Sequence, residues 1–162
     1  MVIPSRWIGI STLAMVLVAC GAAPPDPPAS SSIGVQGEVG ALRVDRAVSW
    51  GLPSAGSLTV GFRVRNEGTE TDTLQGVSAV AGRSMLHDLQ GGRMVRLEAV
   101  PLPPGREVVM GLGGPHVMLD SLFRDTWDSS TVDVVLRFSR AGALPLRVPI
   151  VTFTEGIREL RQ

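Results

Sequence analysis

Apolar and polar residues alternate along much of the chain beyond residue 34. The alternation is clearest in four stretches, Leu42–Val48, Leu58–Arg65, Val132–Phe138 and Leu144–Phe153. Side chains two residues apart lie on the same face of an extended strand, so each stretch predicts a strand with one buried and one solvated face. Strands of this kind are typical of antiparallel sheets.

Turn sequences rich in Gly, Pro and Asn separate these stretches. They recur every 8–15 residues or so, a spacing that is typical of a β-sandwich or barrel. The clearest are Leu52–Gly56, Asn66–Gly68, Pro103–Gly105 and Gly113–Pro115. We therefore predict an all-β domain over residues 35–154, followed by a C-terminal tail, 155–162, with room for one short turn of helix.

The N-terminus has a different pattern. A single charge, Arg6, precedes an apolar run of 13 residues, Trp7–Ala19. A membrane-spanning helix needs roughly 20 apolar residues, so the run predicts a signal peptide over residues 1–19. The run ends in Leu17-Val18-Ala19-Cys20, which resembles the bacterial lipobox, whose Cys receives a lipid. The alternative is a chance Cys after an ordinary signal peptide.

Residues 20–34 are rich in Pro, Ala and Ser. Such a segment buries too little apolar surface to fold, and its prolines keep it extended. We interpret it as a tether between a lipidated Cys20 and the β-domain. The protein is then anchored in a membrane and faces the periplasm or the cell exterior. Because Cys20 is the only Cys, lipidation leaves the mature chain without a thiol.

The composition argues against several classes of function. Fifteen basic and fifteen acidic residues cancel, and the sequence has no basic cluster of the kind that binds nucleic acid. Three Trp, four Phe and no Tyr are too few aromatic side chains for a surface that stacks bases or sugars. The chain lacks a Gly-x-Ser-x-Gly nucleophile motif and a phosphate-binding glycine loop that opens a helix. We expect a protein that is a monomer and not an enzyme.

The two His residues each have Met nearby. His116 and Met118 are two residues apart and so share a face of a strand, and Met85 and His87 have the same spacing. Met94 follows His87 across a predicted tight hairpin turn. If the strand with His116 lies beside that hairpin, two imidazoles and two thioethers converge. Met85 is then an additional donor candidate, although a Met taken alone is usually core packing.

This donor set selects the metal. Thioether sulfur is a soft, neutral ligand that favours Cu(I), and imidazole is a common metal ligand of intermediate softness. A blue-copper site needs a Cys thiolate, and a structural zinc site normally uses Cys or more His than this chain has. The residues therefore point to Cu(I) if they bind a metal at all.

The region Asn66–Leu119 resembles the periplasmic copper chaperone family called PCu(A)C. Four features match the family: an Asn-x-Gly, an Asp-x-Leu, a Pro-Pro-Gly, and a segment that contains His116 and Met118. In this sequence they are Asn66–Gly68, Asp72–Leu74, Pro103–Gly105 and Gly113–Leu119. The family's metal pattern is His, ten residues, Met, twenty-one residues, His, one residue, Met. Here the last two intervals match, whereas His87 and Met94 are separated by six residues.

The resemblance implies a cupredoxin-like Greek-key β-fold and a Cu(I) site made by His87, Met94, His116 and Met118, with Met85 as an extra candidate. It also implies delivery of copper to an acceptor such as the copper centre of a terminal oxidase. The interval between His87 and Met94 is four residues shorter than in the family. Removal of four residues from a hairpin tip keeps the alternation of faces, because four is an even number, so both side chains stay on the face they would otherwise have.

Two other functions remain open from the sequence. One is a copper buffer or resistance lipoprotein without a dedicated acceptor. The other is an Ig-like interaction lipoprotein without a working metal site, for which the short interval between His87 and Met94 is the main support.

Overall fold

The computed structural model describes residues 32–162. The predicted signal peptide, Cys20 and nearly all of the tether lie outside the described residues, so their assignment stays a prediction. No helix in the described range is long and apolar enough to span a membrane.

Strands make up most of the described chain, which confirms the predicted all-β class. Eleven strands and one α-helix follow each other in the order β1 Val35–Val39, β2 Leu42–Leu52, β3 Ser57–Asn66, β4 Asp72–Ala79, β5 Arg83–Gln90, β6 Arg93–Leu97, β7 Val100–Leu102, β8 Glu107–Met110, β9 His116–Asp120, β10 Thr131–Phe138, β11 Gly142–Val151 and α1 Phe153–Arg161.

The strands form one strongly curved, barrel-like sheet. Its order is β6-β5-β9-β3-β2-β11-β10-β4-β7, with β1 added beside β2 and β8 beside β3. Most neighbours are antiparallel, and the two halves of the sheet join through a short parallel pairing of β11 with β2. The middle position of β9, between β5 and β3, determines where the candidate metal ligands lie.

The core follows the alternation seen in the sequence. The alternate residues of β3 are almost completely buried, namely Leu58, Val60, Phe62 and Val64. Met110 is also fully buried, as expected for a Met that packs in the core. The inward faces of the other long strands supply most of the remaining buried apolar side chains.

A C-terminal helix replaces the predicted end of the last strand. The alternation of Leu144–Phe153 predicted a strand up to Phe153, but β11 ends at Val151 and Phe153 begins α1. The reason is a capping box, in which the Thr152 hydroxyl accepts from the Glu155 backbone N–H while the Glu155 carboxylate accepts from the Thr152 backbone N–H. Two satisfied N–H groups at this point favour the start of a helix over another strand residue.

Helix α1 packs on Trp50 of β2. Its Gly156 comes so near that an added Cβ would lie 2.6 Å from the indole ring, so only Gly allows this approach. On the same helix, Glu159 is buried and pairs with Arg46 at 3.4 Å between Oε1 and Nη1. It also accepts hydrogen bonds from the Ser32 hydroxyl and the Gly34 N–H. The helix therefore fixes the point where the chain enters the domain.

A second buried carboxylate joins β4 to the β10–β11 turn. Asp72 accepts hydrogen bonds from the backbone N–H groups of Thr73, Arg140 and Ala141 and from the Ser139 hydroxyl. Burial raises the pKa of Asp72, but these hydrogen bonds together outweigh it and hold the pKa below its ordinary value. Asp72 is therefore ionised and serves as a structural acceptor.

Candidate metal centre

The two strands that contain the His residues pair directly with each other. In the antiparallel ladder between β5 and β9, His87 lies opposite His116 and Met85 lies opposite Met118. The two imidazole centroids are 6.1 Å apart, with the rings tilted by 44°. Residues that are directly opposite in such a ladder have Cβ atoms about 5 Å apart, so four soft or borderline donors come together in a compact block.

These four side chains lie on the outer face of the sheet. Leu86 and Val117, which alternate with them, are buried in the core, and successive side chains of a strand point to opposite faces. The arrangement confirms that His116 and Met118 share a face, as do Met85 and His87. It gives the block access from outside the barrel without opening the core.

His116 is held in a defined orientation. It is only 6% exposed, and its Nδ1 lies 2.9 Å from the carbonyl oxygen of Gly114. Because a carbonyl can only accept, Nδ1 donates and the neutral ring keeps its lone pair on Nε2. A metal-binding His typically has this second contact, which sets both the ring orientation and the tautomer.

His87 has a different environment. Its Nδ1 is buried and has no hydrogen-bond partner among the described residues. Burial lowers the pKa of His87 below its ordinary value, and the nearby imidazole of His116 and guanidinium of Arg96 lower it further, against a smaller opposite effect of Asp120. The ring is therefore neutral near pH 7, with donor capacity that the described protein groups leave unused.

Met94 lies at the margin of the block. It lies just beyond a two-residue turn at Gly91-Gly92, where φ is 57° and 78°, and this is the tight hairpin turn expected between His87 and Met94. Two positive φ angles in succession define the favoured hairpin turn, which Gly adopts without strain. Met94 pairs with Leu89, two residues along β5 from His87, and is 51% exposed.

The register explains how a shortened hairpin can keep this Met in reach. Met94 lies on the same face as His87 and diagonal to it, at about 7–8 Å between Cα atoms in ideal geometry. A hairpin with two more residues in each strand at the turn would also place this Met diagonal to His87 on the same face. The structure thus places Met94 on the hairpin side of the His pair and Met85 and Met118 on the other side.

Charged side chains border the donors. Arg96 of β6 lies directly opposite His87 in the β5–β6 ladder. On the far side, Arg83 lies opposite Asp120 and forms an ion pair with it at 3.0 Å. Over residues 32–162, no three His, Cys, Asp or Glu side chains come together as a metal-binding group. The donors available in this block are therefore imidazole and thioether.

From the sequence, Met85 fits either a packing or a binding role, and nothing distinguishes Arg96 from the other arginines. Met85 became a strong candidate through its position opposite Met118. No local signal in the sequence gives that position, since it depends on the register between strands that are about 30 residues apart in the chain. Arg96 depends on the register of the hairpin in the same way.

Comparisons with known proteins agree with this architecture. The family model "Putative lipoprotein LpqE-like" matches residues 38–150. The protein "Putative lipoprotein Lxx21020" of Leifsonia xyli subsp. xyli is 27% identical over 158 residues, which cover 93% of each chain.

Solved structures of PCuAC domains have the same fold. The copper-bound PCuAC domain from PmoF2 matches with a TM-score of 0.63 and 22% identity, over 73% of this chain and 98% of that domain. The Cu(I) form of DR1885 from Deinococcus radiodurans gives 0.56 and 20%, over 68% of this chain and 78% of that one. At these identities the likeness concerns the fold, and it confirms the β-fold that the resemblance implied.

Proposed function

This chain belongs to the LpqE-like lipoprotein family, and on that premise we propose that it is an exported, lipid-anchored carrier of Cu(I). Its β-domain binds one Cu(I) through His87, Met94, His116 and Met118, and it passes the ion to an acceptor outside the cytoplasm. The lipid is attached to Cys20 after removal of residues 1–19.

The observation that carries the proposal is the direct pairing of His87 with His116 between thioethers on both sides. One imidazole has its Nδ1 proton directed to a carbonyl, and the other has a buried Nδ1 without a partner in the described part of the chain. Packing alone does not explain why two polar rings lie directly opposite each other, with their centroids 6.1 Å apart. A metal ion between them gives both rings a function.

The donor chemistry supports Cu(I) as the cargo. Four neutral ligands leave a single positive charge at the site, which costs less to desolvate than a dication. Thioethers bind a soft ion without first losing a proton, whereas zinc sites are normally built from thiolate, imidazole and carboxylate. The copper-bound PmoF2 domain and Cu(I)-DR1885, which share the fold, are consistent with this choice.

Transfer of the ion by ligand exchange suits the position of the block. The donors lie on the outer face of the sheet, and Met94 at the hairpin end is half exposed. A partner can therefore replace Met94 first while His87 and His116 still hold the ion. We propose that the acceptor carries the copper centre of a terminal oxidase, the partner implied by the resemblance to PCu(A)C.

A Cu(I) competition titration tests the binding step. The full chain in detergent, kept reduced, is titrated against a chromogenic Cu(I) chelator. We expect the parent to bind one equivalent of Cu(I) tightly. H116A and M118A should each lower this affinity by more than about 10–100-fold, which is the loss that removal of a supporting residue typically causes. M110L is the matched control, because Met110 is a fully buried core Met away from the block, and it should bind like the parent.

Two results would contradict the proposal at different points. Equal affinity of H116A, M118A and M110L would show that copper binds elsewhere or only non-specifically. Normal binding without transfer to an apo oxidase copper domain would reject the acceptor and leave copper storage as the function.

A further inference from the structure

A cationic side chain lies in the same row as the two imidazoles. Strand β6 pairs with β5 so that Arg96 is opposite His87, and His87 is in turn opposite His116. Residues directly opposite in an antiparallel ladder share a face, so Arg96 lies on the donor face. It also lines a surface cleft together with Met85 and Asp120. The register thus places a positive charge beside the site.

Among the residues that the structure describes, Arg96 forms no ion pair, although Asp120 lines the same cleft. Every ion pair in this part of the chain involves other arginines. Arg83, the other arginine near the block, is paired with Asp120 at 3.0 Å.

We propose that Arg96 sets the charge selectivity of the site, so that monovalent Cu(I) is accepted and divalent ions such as Zn(II) are disfavoured. The inference rests on the proposed Cu(I) site and adds a residue that is not itself a ligand. The repulsion energy between a fixed positive charge and a dication is twice that for a monocation. The factor by which Arg96 lowers the binding constant of a dication is therefore the square of the factor for Cu(I).

The size of the effect follows from the geometry. For an exposed Arg96 we take a separation on the order of 7 Å and an effective dielectric constant of about 40–80. The repulsion then weakens Cu(I) binding about three- to sevenfold and Zn(II) binding about 7- to 50-fold. The ratio of the two affinities changes by about three- to sevenfold. Salt reduces the effect, because the Debye length is about 10 Å at 0.1 M.

The test compares Cu(I) and Zn(II) affinities of the full chain in detergent at low ionic strength, each by competition with a chromogenic chelator. R96Q removes the charge and R96K keeps it. R93Q is the matched control, because Arg93 belongs to the same strand, pairs with Gln90 and points to the opposite face. We expect R96Q to strengthen Zn(II) binding about three- to sevenfold more than Cu(I) binding. R96K and R93Q should keep the parent's selectivity, and added salt should shrink the difference.

The outcomes separate this inference from the proposed function. Tight Cu(I) binding in all variants, with R96Q no different from R93Q in selectivity, overturns the role of Arg96 and leaves the carrier intact. Equal gains for both ions in R96Q also overturn it, since they indicate a steric effect. If the parent itself binds no Cu(I) tightly, the proposed function fails and the selectivity fails with it.

Discussion

Replacing either histidine of the pair by Leu should change the stability of the metal-free protein in opposite directions. Within residues 32–162 the buried Nδ1 of His87 has no hydrogen-bond partner, so H87L removes an unsatisfied polar atom and adds apolar surface. His116 donates from Nδ1 to the Gly114 carbonyl at 2.9 Å, so H116L leaves that carbonyl without its donor. Both variants lose a proposed copper ligand, but only H116L loses a structural hydrogen bond.

The expected magnitudes follow from these contacts. A buried polar group without a partner costs about 1–3 kcal/mol, and a satisfied hydrogen bond contributes about 1 kcal/mol. Because the His87 ring is partly exposed and can be reached by water at its other nitrogen, we expect the lower end for H87L, a gain of about 1 kcal/mol. H116L should lose about 1–2 kcal/mol, through the lost bond and the orphaned carbonyl.

Urea unfolding of the metal-free protein, followed by the fluorescence of the buried Trp50, provides the assay. The midpoint should rise for H87L and fall for H116L, with the slope unchanged in both. The pKa of His87 is lower in the folded protein than its ordinary value. Below about pH 6.5 the unfolded chain therefore binds more protons than the folded protein, so the free energy of unfolding decreases as the pH falls through that range. H87L should lack this loss. Equal destabilisation by both variants would contradict the different hydrogen bonding of the two rings.

Three further predictions follow from single contacts. D72N should lower the free energy of unfolding by about 2–4 kcal/mol in the same assay, because the amide would present either an N–H₂ group or a weaker acceptor oxygen to the Ala141 N–H. The stability that Asp72 provides should also be lost in acid, as its carboxylate is protonated. E159Q should destabilise the protein by about 1–3 kcal/mol, measured by the same midpoint shift, because it removes the charge partner of the largely buried Arg46 guanidinium. In the Cu(I) titration M94L should weaken binding more than M85L, and the reverse order would assign the fourth ligand to Met85.

Much of the fold could be predicted from local patterns. The alternation in Leu58–Arg65 gives β3 to within about one residue at each end, because a strand with one buried face needs that pattern. The last strand was predicted with the right length but two residues too far along the chain, as 144–153 instead of Gly142–Val151. Phe153 continues the apolar alternation, but the capping box at Thr152 competes with it and starts a helix.

The candidate site was only half visible in the sequence. Two-residue spacing placed His116 with Met118 and Met85 with His87, since that relation is local. The meeting of the two pairs depends on β9 lying next to β5, which arises from the packing of the whole sheet. For the same reason the sequence did not show that Glu159 is buried. Its partners Arg46 and Gly34 lie more than 100 residues away in the chain.

X-ray absorption spectroscopy at the copper edge of the Cu(I)-loaded full chain identifies the atoms that bind the metal. We expect both nitrogen and sulfur next to copper, with a loss of sulfur in a variant that replaces Met94 and Met118 by Leu. A shell of nitrogen and oxygen alone, unchanged in that variant, would contradict a His/Met copper site.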